Sequence, residues 1–184
     1  KDTGIALPEG LSGTADTARW IMAEHGREWT EWKCGIIAGL VRSIADEVRT
    51  IKPKLMINIH SVPWREKDFG GAIKTIAGQD LAALAGPADL ISPMCYWHML
   101  KRKPPWVHEV VEDVYSRAEG LVVPSIQVGN AYVSDRLSVE EFKEALEEAL
   151  RPPSGGVILW NWDALAKEPE KKSAFAARLK VPNR

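Results

Sequence analysis

Four short apolar runs, rich in β-branched residues, recur along the chain at residues 55–60, 88–96, 121–128 and 156–161. Each has the length and composition of a strand buried on both faces. Counted from Leu55, Asp89, Leu121 and Gly156, the runs are 34, 32 and 35 residues apart. Hairpins would recur every 8 to 12 residues, so this is the period of a strand–loop–helix unit.

The gaps carry helical patterns. Ile36, Ile37, Leu40, Val41, Ile44, Val48 and Ile51 make an apolar stripe that predicts a helix over residues 30–51, stopped by Pro53. A short helix is expected over 79–84, ending at Gly86-Pro87. Pro104-Pro105 opens a helix bearing Trp106, Val107, Val110, Val111 and Val114. Ser138-Val-Glu-Glu141 reads as a capping box, followed by Phe142, Leu146 and Leu150. Pro169 opens a last helix with Ala174, Phe175 and Leu179. Strands separated by helices run parallel with right-handed crossovers. Residues 1–29 are expected to be a loop with one helix around 15–25, ahead of a single βα domain over 30–184.

Composition narrows the function classes. The 184 residues have a formal net charge of −1, so no basic field invites nucleic acid. No apolar run approaches the roughly 18 residues of a membrane span. Two cysteines, Cys34 and Cys95, are too few for a disulfide framework or a four-cysteine zinc site. The four His form neither His-x-His nor His-Glu-x-x-His, and no Gly-rich phosphate loop or Gly-x-Ser-x-Gly elbow is present, so no metal or cofactor is expected. The chain starts at Lys1, so the lack of a leader says nothing about compartment. Trp is the outlier: eight, against three Tyr and three Phe.

Parallel α/β folds bind ligands at the carboxyl ends of their strands. Polar and aromatic residues gather there: Asn58, His60, Trp64 and Glu66 after the first run; Tyr96, Trp97 and His98 after the second; Gln127, Asn130 and Tyr132 after the third; Trp160, Trp162 and Asp163 after the fourth. Period-two alternation puts Asn58 with His60, Ser92 with Met94 and Tyr96, and Ser125 with Gln127 on shared faces. Buried Asn, Ser and Gln need partners, which an internal network or a polar ligand would supply. Indole faces pack on sugar rings as readily as in cores, so Trp64, Trp97, Trp160 and Trp162 read either way, whereas Trp20, Trp29, Trp32 and Trp106 read as packing. The expected ligand-lining set is His60, Trp64, Tyr96, Trp97, His98, Gln127, Tyr132, Trp160 and Trp162. Asp163 is the first candidate for an acid or base and Glu66 the second. Asp163 is equally a cap for residues 164–167, and Glu66 equally part of a solvated charged loop.

Residues 89–96, Asp-Leu-Ile-Ser-Pro-Met-Cys-Tyr, resemble the sixth-strand pattern of chitinase-like (family 18-like) and related glycosidase barrels, an apolar strand ending in Met-x-Tyr. Gly155-Gly-Val-Ile-Leu-Trp160 resembles their eighth strand, Val123-Pro-Ser-Ile-Gln127 the seventh, and residues 55–60 the fifth. The resemblance covers about residues 30–180. It implies an α/β fold, a parallel (βα)4 half-barrel corresponding to strands 5–8 of a TIM barrel, with Tyr96 and Trp160 lining a sugar subsite near Gln127. Two departures matter. The acid that follows Met-x-Tyr in chitinases is Trp97 here, and the acid-rich fourth-strand motif has no counterpart in residues 1–29.

Half a barrel leaves two sheet edges open. Three arrangements answer this: a fragment of a longer glycosidase, a homodimer that completes eight strands about a twofold axis, or an open binding module. The expected function is that of a carbohydrate-binding, glycoside-hydrolase-like barrel half; the alternative is a non-catalytic α/β half-barrel, either a fragment or a self-assembling scaffold.

Overall fold

The alternation of strand and helix is present in the computed structural model, which describes residues 3–118 and 120–178. Two helices lead, α1 (Gly13–Glu24) and α2 (Gly26–Ile51), meeting at His25, which closes one and opens the other. The helix expected from residue 30 therefore starts at Gly26, and the boundary drawn at 29/30 falls within it. Trp29 and Trp32 stack across that boundary with centroids 4.9 Å apart. Pro53 follows the last turn, as the sequence requires.

Strand β1 (Asn58–Ser61) is followed by a 3-10 turn at Asp68–Gly70 and two short helices, α3 (Ala72–Thr75) and α4 (Leu81–Ala85). Then come β2 (Leu90–Pro93), α5 (Trp106–Ala118), β3 (Leu121–Val122), β4 (Ser125–Gln127), α6 (Val139–Leu150), β5 (Ile158–Trp160), α7 (Trp162–Lys167) and α8 (Pro169–Arg178). The 3-10 turn, α3 and the extent of α7 were not expected; Leu179 lies outside the described residues.

All strand pairings among the described residues are parallel. One sheet has the order β1-β2-β3, with Asn58 opposite Leu90 and His60 opposite Ser92; the other pairs β4 with β5, with Gln127 opposite Trp160. A single parallel bridge, Met94 to Ser125, joins them. The third apolar run is thus two strands. Pro124, between them, has no N–H to give to a ladder; β3 pairs with β2 and β4 with β5, and Gly155 N donates to the Val122 carbonyl (2.9 Å), so the run lies between the second and fourth runs.

The core lies between the sheets and the helices. Ile91, Val122 and Ile126 meet Leu81 and Leu84 of α4, Val107, Val110, Val111 and Val114 of α5, and Phe142, Ala145 and Leu146 of α6. Burying each larger side chain contributes about 1.5–3 kcal/mol relative to leaving it exposed. Helix α6 has the full capping box: Ser138 Oγ accepts from Glu141 N (3.1 Å) while Glu141 Oε2 accepts from Ser138 N (3.1 Å).

Burial on both faces, expected of every strand, holds for β4 and fails at the two sheet ends. Asn58 and His60 of β1 are exposed, and Trp160 of β5 is 37% exposed. Each of these strands has a neighbour on one side only among the described residues. Helix α2 carries an exposed stripe of Ile36, Leu40, Ile44 and Ile51, and Leu55 and Met56 after it are exposed too. No helix among the described residues is long and apolar enough to cross a membrane.

Candidate functional site

Parallel strands bring their carboxyl ends to one side of the molecule, and the register sorts their side chains. His60 aligns with Ser92, Met94 with Ser125, and Gln127 with Trp160, so these residues share one face; Ile59, Ile91 and Ile126 occupy the other, toward the helices. None of the five strands among the described residues contains an Asp or Glu.

The shared face carries two clusters, a polar one on β1 and β2 and an aromatic one at β4 and β5. Ser92 Oγ donates to Asn58 Oδ1 (2.9 Å), and the Asn58 amide nitrogen lies 3.3 Å from His60 Nε2. With Asn58 Oδ1 accepting from Ser92, the amide donates to His60. The Tyr96 hydroxyl lies 3.5 Å from Ser125 Oγ. The Tyr96 ring stacks on Trp160 with centroids 5.1 Å apart and an interplanar angle of 27°, an offset-stack geometry. Ser92 and Ser125 are buried, whereas His60 and Trp160 reach solvent. The face therefore offers a flat aromatic surface beside the Ser125 hydroxyl, with the Asn58 amide and His60 imidazole on β1.

Other expected residues lie elsewhere or are occupied. Gln127 is fully buried and spent on the backbone: its Oε1 accepts from Met99 N (3.0 Å) and its Nε2 donates to the Gly129 carbonyl (3.0 Å). Trp97 is 1% exposed and belongs to the core. Alternation already separates it from Tyr96, a signal that composition alone hides. His98 is buried, with Nε2 3.3 Å from Asp135. Trp64 packs on the core and meets Phe69 edge-on at 5.9 Å. Trp162 is 68% and Tyr132 94% exposed, on α7 and on the loop after β4. Cys95 is fully buried, which pushes its thiol well above the usual range and makes it no nucleophile.

The two candidate carboxylates differ. Asp163 is exposed in the first turn of α7. It is not the cap of that helix; Asn161 is, its side chain accepting from Ala164 N (2.9 Å). Glu66 is tied to the outer layer: its Oε2 accepts from Arg117 Nη1 (3.1 Å) and its N–H donates to Asp113 Oδ1 (3.1 Å). It joins an ion-pair network in which Arg65 holds Asp68 and Glu109, and Arg117 holds Asp113. In Asp68, desolvation raises the pKa, but the hydrogen bonds from Arg65 prevail and hold the carboxyl below its ordinary value. The network clamps the loop after β1 onto α5. Among the described residues no group of three His, Cys, Asp or Glu could hold a metal ion.

The sequence offers no signal for the residue that holds the loop carrying Tyr132. Lys171 of α8 is 1% exposed, and its ammonium donates to the carbonyls of Val128 and Leu137, both at 2.9 Å. These carbonyls are the two ends of the loop that carries Tyr132. In the sequence Lys171 sits in a charged helix and carries no such signal.

No protein-family model matches the chain, and no curated protein matches its sequence. Solved structures do match. The PgaB (BpsB) glycoside hydrolase domain from Bordetella bronchiseptica superposes with a TM-score of 0.63 at 17% identity, covering 91% of this chain and 50% of that one. Bee venom hyaluronidase superposes with a TM-score of 0.56 at 12% identity, covering 90% of this chain and 62% of that one. The fold is glycoside-hydrolase-like. The likeness reaches that fold and no particular family within it, and the chain spans about half the length of the Bordetella domain. The short parallel sheets with flanking helices agree with part of a TIM-barrel-like hydrolase fold.

Proposed function

We propose that the chain forms a half-barrel equivalent to strands 5–8 of a glycoside-hydrolase-type barrel, and that its strand-end face binds a glycan. The observation that carries this reading is the stacked pair Tyr96–Trp160, set beside the Ser125 hydroxyl at the strand ends of a hydrolase-like sheet. A partly exposed indole suits the apolar face of a sugar ring, and the adjacent Ser125 hydroxyl, with the amide and imidazole of β1 on the same sheet face, suits its hydroxyls. The resemblance of residues 89–96 and 155–160 to chitinase-like strands points to the same two aromatic residues.

Glycoside hydrolysis needs two carboxyl groups about 5–5.5 Å or about 6.5–9.5 Å apart across the scissile bond. The strands supply none, Glu66 is held by Arg117 on the outer layer, and Asp163 is a single exposed carboxylate. The chain alone therefore binds without turnover, and Asp163 is the residue on which acid–base work would fall when further strands complete the site.

Titration calorimetry with hexasaccharides of N-acetylglucosamine and of hyaluronan tests this. Binding is expected, and Trp160→Ala should weaken it roughly tenfold, the equivalent of about 1.4 kcal/mol of stacking. If neither hexasaccharide binds, or if Trp160→Ala binds as tightly as the unaltered chain, the reading fails. Turnover of aryl glycosides, lost in Asp163→Asn, would show instead that the chain is catalytic by itself.

A further inference from the structure

The loop between Val128 and Leu137 has the features of a built arm. It leaves the carboxyl end of β4 beside Trp160, where Val128 N donates to the Trp160 carbonyl (2.9 Å). Its two ends are held by one buried ammonium, Lys171, at 2.9 Å to each carbonyl. Asn130 closes the base from within, its Oδ1 accepting from Leu137 N (2.8 Å). On the far side Asp135 reaches His98. At the tip, Tyr132 is 94% exposed and holds a φ of +57°, a left-handed conformation that costs any residue with a Cβ. The fold thus fixes the base of the loop with a buried charge and presents an aromatic ring to solvent at its tip. Trp162, 68% exposed just beyond β5, is a second such ring at the same strand ends.

We propose that Tyr132 is a second sugar-contacting residue, that Lys171 is the positioning residue that holds its loop, and that the ligand of the strand-end face is an oligosaccharide rather than a single sugar. This rests on the glycan reading of the Tyr96–Trp160 pair and extends it outward from Trp160. One sugar ring covers the pair; a further ring reaches the arm. Tyr132 thereby sets chain-length preference, and Lys171 acts on that preference through the loop alone.

The test is the ratio of hexasaccharide to monosaccharide affinity, measured with the N-acetylglucosamine hexamer against N-acetylglucosamine and with the hyaluronan hexasaccharide against glucuronate. The unaltered chain should favour the hexamer of the sugar it accepts by at least tenfold. Tyr132→Ala should reduce that ratio to near one, and Tyr132→Trp should restore it. Tyr132 touches solvent almost entirely, so these variants keep the fold. Lys171→Met should reduce the ratio in parallel with faster amide exchange over residues 129–136. Trp160→Ala should instead weaken hexamer and monomer together. If hexamer binding depends on Trp160 while Tyr132→Ala leaves the ratio intact, the proposal is overturned and the glycan reading stands. If no hexamer binds at all, both fall. If Tyr132→Ala lowers the ratio but Lys171→Met, still folded, does not, the role of Lys171 is overturned.

Discussion

Replacing Lys171 with Met removes a charge from the interior while nearly keeping its length. The ammonium is 1% exposed and donates to two carbonyls at 2.9 Å, with Glu168 3.9 Å away. Without it the Val128 and Leu137 carbonyls are left without that donor in buried surroundings, at about 1–3 kcal/mol each. Relief of the ammonium desolvation offsets part of this, which leaves a net loss of about 3 kcal/mol. For a chain of this length each kcal/mol moves the melting temperature by roughly 2–4 °C, so Lys171→Met should melt roughly 10 °C lower. The loss should also depend on pH. Burial lowers the Lys171 pKa from its ordinary 10.5, against the smaller opposing pull of Glu168. Between the lowered folded value and 10.5 the unfolded chain binds more protons than the native one, so this group's contribution to stability rises with pH through that window. Urea denaturation of both proteins at pH 7 and pH 10 should show a gap that widens at the higher pH. A variant within 0.5 kcal/mol of the unaltered chain at pH 7, or a gap that narrows toward pH 10, would refute the assignment of Lys171 as a buried, charged clamp.

Ser138→Ala should cost about 1 kcal/mol in urea denaturation, because it removes one arm of the capping box of α6, and Ser138→Asp should recover most of it. Asp68→Asn should cost about 2 kcal/mol at pH 7. Since the folded carboxyl sits below its ordinary 3.8, that contribution is full above the unfolded value and is lost as pH falls through the folded one. The two proteins should therefore converge in stability as the pH drops below about 4. Self-association through the open edge of β1 and the exposed stripe of α2 is checked by light scattering: a mass of twice 20.4 kDa is expected, falling to one in Leu40→Glu. A monomeric unaltered chain would overturn the homodimer expected from the sequence.

Local rules made much of this legible. The capping box at Ser138, the stripe of α2 and the parallel βα period depend on residues close in sequence, and the structure carries each of them. Alternation puts Tyr96 on the polar face with Ser92 and its neighbour Trp97 on the other, whereas Trp160 is singled out by its place at a strand end and by the resemblance of residues 155–160. What could not be read are relations across distance. Gln127 looked available because its two partners, Met99 N and the Gly129 carbonyl, belong to loops the pattern leaves undefined. Glu66 looked like a strand-end acid because Arg117 and Asp113 stand on a helix some 50 residues later. Exposure of β1 depends on what stands beside the sheet, and no property of Asn58 or His60 encodes it.

The clamp on the Tyr132 loop has a consequence for how the molecule is made. Lys171 reaches back 43 residues to Val128 and 34 to Leu137, from the last described helix of the chain. As the chain is synthesised, β4 and the loop leave the ribosome well before α8. The loop then waits, held by Asn130 and by Asp135 against His98, until α8 settles against α6 and its ammonium is withdrawn from water. A chain cut just before Pro169 would keep every strand-end aromatic and still lack the part that fixes the outermost one.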